Sequence, residues 1–318
     1  DASMANDDLK MPRPPSRPPL PPVSTYLRAV FALGQASIAP GFPALAFFYF
    51  YRLGMGLYLA LSVDRVVSID DLSQRGALMG PMLSIPAYIP VFVLIYMPFL
   101  LLQDGILRGA PFSLGRSMRA VLERVLPLIA SGIAQVIIVF GPPVLLLAGA
   151  ALLARSVPTR PEELTRAIVL VSLVPCVIYI FAMLFFLWFA MPAIVLDRRG
   201  PLRSIRLSFG LVATHFGGLL GRILVTFILV ILAAVVLAFP AEILQVVAAA
   251  AEVEHPVLKV ATVVWTAAVA ALLFPFMMAS VVVLYRALMP AAGASIVREG
   301  VGEAIVEPHP VSSPFQFE

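Results

Sequence analysis

Apolar and polar positions alternate along this chain in long blocks rather than residue by residue. Six blocks are long enough to cross a bilayer, which takes about 20 mostly apolar residues in a helix. They run roughly Ser37–Val63, Pro81–Leu102, Pro127–Ala154, Ala167–Leu196, Gly217–Leu244 and Val260–Tyr285. The second, third, fourth and sixth contain no charged residue, and the fifth is free of charge from Ile223 to Ala241. Runs such as Ala182-Met-Leu-Phe-Phe-Leu-Trp188 do not alternate as barrel strands must, so the blocks read as helices. The expected fold class is therefore all-α: a polytopic transmembrane helical bundle of six spans arranged as three hairpins.

Between the blocks a polar unit repeats at a period of about ninety residues. One copy reads Asp104, Arg108, Gly109, Pro111, Ser113, Arg116; the next reads Asp197, Arg199, Gly200, Pro201, Ser204, Arg206. Arg286, Pro290 and Ser295 resemble the start of a truncated further copy. Each hairpin is preceded by an amphipathic segment expected to lie as an interfacial helix. Leu114, Met118, Val121, Leu122 and Val125 form one stripe at helical spacing; Ile205, Phe209, Val212 and Phe216 form another. Leu27, Val30 and Phe31 make a shorter first stripe beside Arg28. Arg116, Arg119, Arg203 and Arg206 fall on the polar faces, where they are candidates for lipid headgroup contacts.

Three parts follow: a Pro-rich tail over 1–24, a membrane domain over 25–288 and a tail over 289–318. Met11–Pro22 should be extended polyproline II without a core, and it contains no apolar stretch of the kind a cleavable signal needs. The last 28 residues lack a sustained apolar period. Tails of this composition order only against something else, so a protein partner through them is expected.

Composition agrees with the blocks. Hydrophobic residues make up 61% and charged residues 13%, against roughly 25% charged in a soluble domain. The net charge of +4 comes from basic residues lying between apolar blocks. Fifteen Lys and Arg fall on the side of the N-terminus and six on the other, with Arg52 inside the first block. The positive-inside rule then puts both termini in the cytoplasm, facing anionic headgroups, and the spacing excludes a nucleic-acid groove.

Chemistry is sparse. Cys176 is the one cysteine and lies in an apolar block, so no disulfide framework forms within the chain. His215, His255 and His309 are the only histidines, and none lies deep in a block. No phosphate-binding, zinc-protease, nucleophile-elbow or dinucleotide motif occurs. Asp104 and Asp197 sit at matched ends of the second and fourth spans; local pairing with Arg108 and with Arg198 or Arg199 is the expected arrangement. The two candidate intramembrane functional residues are Arg52 and Glu242. A charge in the bilayer costs at least about 2.5 kcal/mol, so Arg52 either serves a site or snorkels to a headgroup. Prolines interrupt most spans, Gly141-Pro142-Pro143 most sharply. Close packing between spans is expected at small residues such as Gly132, Gly141, Ala148 and Gly149.

The stretch Met191–Val212, with Pro192, Val195, Asp197, Gly200, Ser204, Ile205 and Ser208 in register, resembles a family of six-span bacterial inner-membrane proteins. It is similar to the YciC-like group and to the membrane domain fused to some glycerophosphodiester phosphodiesterases. The resemblance implies fold and location. It implies no phosphodiesterase reaction, since neither that catalytic domain nor its acidic and histidine metal cluster is present. The reading from sequence is a non-catalytic membrane protein, an accessory or scaffold subunit of a larger complex, with no cofactor expected. The alternative is a transporter or lipid-handling protein with a site inside the bundle near Arg52.

Overall fold

The computed structural model describes residues 20–63, 91–110, 113–155, 162–250 and 256–289. Most of both tails (1–19 and 290–318), and the first part of the second apolar block, lie outside the described residues. All regular structure in these segments is helical: α1 Val23–Val63, a π-turn Phe92–Tyr96, α2 Met97–Leu107, α3 Leu114–Leu122 and α4 Val125–Arg155. Then follow α5 Glu162–Phe186, α6 Ala190–Leu196, α7 Pro201–Ala250 and α8 Pro256–Leu288.

Five stretches among the described residues are long and apolar enough to cross a membrane: Val23–Tyr58, Val125–Ala150, Val171–Leu196, Pro201–Val247 and Val257–Leu288. A shorter apolar stretch covers Val93–Leu107. The protein is a multi-pass membrane protein. Large apolar side chains such as Val136, Leu145, Phe181 and Val236 stand exposed along α4, α5 and α7, which suits hydrocarbon and not water.

α8 is the central helix. Of its most apolar stretch 61% is buried, against 11% for α7. It packs along α1 on one side and α7 on the other, and α4 pairs with α5 further out. Glycines on α1 allow the closest approaches. A Cβ at Gly34 would run into the Phe276 ring, one at Gly41 into the Phe99 ring, and one at Gly56 into Val263. The small residues expected to do this do not. Gly132 meets only Met191, at 3.6 Å; Gly149 meets nothing within 4 Å; Gly141 meets only its own helix; Ala148 is exposed. Periodicity marks small residues along a helix, but which face meets a neighbour is settled by packing.

The three amphipathic segments take different forms. Only α3 stands apart: Ser113 caps it by accepting the Arg116 N–H, and the chain turns at Glu123 and Arg124 before α4 begins. Its stripe docks on the bundle, with Val121 fully buried. The first copy is continuous with its span, since α1 runs unbroken for 41 residues through Pro40 and Pro43. The third is one helix with its span too, kinked where His215 leaves helical geometry at φ −121°. The His215 ring stays within hydrogen-bond distance, 3.2 Å, of the Leu211 carbonyl one turn back.

Prolines explain the other irregularities. Proline lacks the N–H that the carbonyl four residues earlier would receive. Pro98 follows the wide π-turn, and Pro142 orphans the carbonyl of Ile138. The Tyr179 hydroxyl of α5 donates to that carbonyl at 2.9 Å. α5 ends at Phe186, and α6 begins with Pro192 in its first turn, where a proline is tolerated. Ser208 of α7 stitches this break, receiving the Phe189 N–H at 3.0 Å and donating to the Phe186 carbonyl at 2.7 Å.

Candidate functional site: a buried Asp–Arg–Asp cluster

The ends of α2 and α6 and the last turn of α8 meet, and each brings one charge. Asp104 sits near the end of α2, Asp197 caps α6, and Arg286 lies in the last turn of α8. A left-handed residue follows each aspartate: Gly109 at φ 65° and Arg198 at φ 56°. At the first, the Ala110 N–H reaches back to Gly105 and the Gly109 N–H to Ile106, which closes the helix end. At the second, the Arg199 N–H reaches back to Ala193. The repeated polar unit thus ends two helices in different ways: Asp104 lies inside the last turns of α2, four residues before its C-cap Arg108, whereas Asp197 is itself the C-cap of α6.

Arg286 joins them. Its Nε donates to Asp104 Oδ1 at 2.6 Å and its Nη2 to Asp104 Oδ2 at 2.9 Å, a two-pronged pair. Its Nη1 donates to Asp197 Oδ1 at 2.9 Å. The second oxygen of Asp197 accepts the Tyr285 hydroxyl at 2.6 Å. Arg286 is only 5% exposed, so the charge is removed from solvent, and its guanidinium also lies over the Tyr285 ring. Outside this centre Arg108 reaches Asp104 at 3.0 Å and Arg199 reaches Asp197 at 4.0 Å. The local pairings expected from sequence are present, but as the outer layer. The inner partner is 182 residues from Asp104.

A polar layer lies directly beneath. Gln103 is fully buried, and its Nε2 donates to Ser37 Oγ at 3.0 Å and to the Pro275 carbonyl at 2.8 Å. Three turns earlier on α1, Tyr26 shares a hydrogen bond of 2.8 Å with Thr226 of α7. Arg222 donates to the Pro21 carbonyl, which fixes the entry of α1 against α7. These groups went unnoticed in the sequence. The available signal was a glutamine next to the aspartate at the end of an apolar span, where polar side chains need partners.

The residues singled out from sequence are placed as follows. Arg52 is exposed on α1 and is not part of the buried cluster. The next turn of α1, at Gly56, faces Val263, and Val263 lies about 10 Å along α8 from its first residue. Glu242 is exposed as well. It adjoins a small apolar cavity of about 200 Å³ between α7 and α8, lined by Pro240, Leu244, Thr262 and Trp265. Arg116, Arg119, Arg203 and Arg206 are all exposed, and Arg119 approaches Glu123 at 3.7 Å. Arg124, at the turn into α4, donates to the Ile194 carbonyl of α6 at 3.1 Å. Partial burial lowers its pKa, the neighbouring Arg198 charge adds to this, and Glu123 opposes it; a guanidinium stays charged regardless. Among the described residues no group of three or more His, Cys, Asp or Glu is placed to hold a metal ion.

A family model described as Domain of unknown function (DUF7847) matches residues 128–288, half of the chain. The chain belongs to the DUF7847 family. The matched DUF7847 region contains Asp197, Tyr285 and Arg286, whereas Asp104 lies before it. Arg286 therefore ties the DUF7847 region to the preceding helix α2. No curated protein and no solved structure matches the chain.

Proposed function

We propose that this DUF7847 protein is a non-catalytic integral membrane protein that serves as an accessory or scaffold subunit of a larger membrane complex. In this reading it is a six-span bundle of the bacterial inner membrane with both termini in the cytoplasm. The likeness of Met191–Val212 to the YciC-like group fits that placement. The observation that carries the reading is the pairing within the Asp104–Arg286–Asp197 cluster. All four carboxylate oxygens are engaged by donors of the chain itself: Arg286 and Arg108 on Asp104, Arg286 and Tyr285 on Asp197. Such a cluster acts as a clasp between helices and offers no free group for acid–base or nucleophilic work. The exposed Arg116, Arg119, Arg203 and Arg206 would then lie against anionic headgroups.

The alternative, a transporter or lipid-handling protein with a site near Arg52, has less support, because Arg52 is exposed and near the level of the start of α8. Its long stem suits snorkelling to the outer headgroups. Purification in mild detergent after crosslinking in the membrane tests the main reading. A partner retained in fixed stoichiometry is expected. A lone monomer that passes solute or lipid on reconstitution, and loses that activity as Arg52→Ala, would establish the alternative. Single cysteines at Arg198 and Lys259 test the topology: only the second should react from the periplasmic side, the native Cys176 being buried.

A further inference from the structure

Gln103 carries a buried oxygen that the chain leaves unsatisfied. The residue is fully buried, and so is Ser37 beside it. Its Nε2 spends both N–H bonds, one on Ser37 Oγ at 3.0 Å and one on the Pro275 carbonyl at 2.8 Å. Its Oε1 is shielded from solvent, and among the described residues no donor reaches it. Turning the carboxamide over does not help. Oε1 would then face the Pro275 carbonyl, which has no hydrogen to give. It would also face Ser37, whose hydroxyl already donates to the Gly34 carbonyl at 2.8 Å. The place lies within the apolar stretch of α8, about 16 Å along the helix from Arg286. A polar atom without a partner is costly there, because hydrocarbon offers none.

A second acceptor is open on α8. Pro275 has no N–H for the Ala271 carbonyl one turn before it. Carbonyls four residues apart stand in one row along a helix, about 5.4 Å apart. The Ala271 carbonyl is thus next in the row to the Pro275 carbonyl that Gln103 holds. Ala271 packs on the cluster that contains Phe99, Leu102 and Phe274. Phe99 and Leu102 flank Gln103 on α2, and Phe274 adjoins Pro275 on α8, so the two open oxygens share one neighbourhood.

Two acceptors without a hydrogen between them call for a small molecule with two donors. Water supplies two O–H bonds. A cation suits the place less well, since the Nε2 hydrogens of Gln103 lie beside it. The nearest carboxylate in sequence, Asp104, is already engaged by Arg286 and Arg108.

We infer that a water molecule is bound inside the bundle between α2 and α8, donating one O–H to Gln103 Oε1 and the other to the Ala271 carbonyl. Such a water is a structural part of the fold. It closes the hydrogen bonding that Pro275 opens. Together with Ser37 it joins α1, α2 and α8 in one polar layer on the hydrocarbon side of the clasp. The inference stands apart from the accessory reading, since it concerns the bundle alone.

A structure of the full chain in lipid nanodiscs, at a resolution that shows ordered water, is the test. A peak should lie at hydrogen-bond distance, about 2.7–3.2 Å, from both Gln103 Oε1 and the Ala271 oxygen. Pro275→Ala returns an N–H to the Ala271 carbonyl and should remove the peak. Gln103→Met should remove it as well. Gln103→Glu, held protonated by burial, keeps a carbonyl oxygen and one donor and should retain it. If Gln103→Met fails to fold, Pro275→Ala and Gln103→Glu decide the matter. A native chain with no peak beside Oε1, or a peak unchanged in Pro275→Ala, would overturn the proposal. A peak closer to the oxygens than a hydrogen bond allows, with a melting temperature that follows sodium concentration, would overturn it too and mark a cation instead.

Discussion

Arg286 holds Asp104 with two parallel N–H···O bonds, 2.6 and 2.9 Å long, across 182 residues of chain. The same guanidinium reaches Asp197 with its remaining arm. Three helix ends are joined in this way, with two negative members and one positive.

Removing the arginine should therefore be costly. Arg286→Met leaves the buried Asp104 and the partly buried Asp197 without their shared arginine, and breaking a buried pair on one side costs about 3–5 kcal/mol. Thermal unfolding in detergent should show a large loss of stability or no folded protein. Arg286→Lys keeps the charge but cannot form the two-pronged bond and should fall between. The triple exchange of Asp104→Asn, Asp197→Asn and Arg286→Gln should recover part of the loss, because the charges it leaves without a partner, on Arg108 and Arg199, reach solvent.

A second test concerns the kink of α4. Tyr179 satisfies the Ile138 carbonyl that Pro142 leaves without a partner. Tyr179→Phe should cost about 1 kcal/mol in the native background. In a Pro142→Ala background residue 142 supplies its own N–H, and the same change should cost much less. The coupling energy of this double-mutant cycle is the measurement. A cycle without coupling would mean that the hydroxyl contributes nothing at the kink.

Packing at α1 provides a third. The Phe99 ring that faces Gly41 is fully buried and has no room to retreat. Gly41→Leu should destabilise by about 1–3 kcal/mol through overpacking. Gly149→Leu, where nothing lies within 4 Å, should be neutral or slightly stabilising, since leucine is the better helix former. The contrast between the two melting temperatures is the readout.

The left-handed turn after α6 provides a fourth, since Arg198 holds φ 56°. Arg198→Gly relieves the left-handed strain and should raise stability in lipid-free detergent by on the order of 1 kcal/mol. The melting temperature is the readout, and an unchanged value would mean that the turn carries no strain at this position.

The long apolar stretches were legible in the sequence because the bilayer imposes a length and a polarity that any spanning helix must meet. The polar repeat was legible for a related reason: helix stops need Gly, Pro and short polar side chains at set offsets, and Asp104 and Asp197 stood at matching places. Arg286 was visible only as the start of a truncated copy, and nothing in its neighbourhood pointed to an aspartate 182 residues away. The roles of Gln103, Ser208 and Tyr179 were hidden for the same reason. Each completes a hydrogen bond opened in another helix, by a proline, a break or a buried neighbour.

What the sequence determined alone is the local and the periodic: helical blocks, their apolar character, their stops and the placement of basic residues between them. The tertiary structure decided which glycines meet a neighbour, which amphipathic segment stands apart from the long helix that follows it, and which charges are buried together. The physical reason is that lipid-facing and protein-facing surfaces of a membrane helix are equally apolar. Hydropathy therefore shows that a residue is out of water without showing what it touches. Only packing brought Arg286 between Asp104 and Asp197 and left Arg52 on the outside.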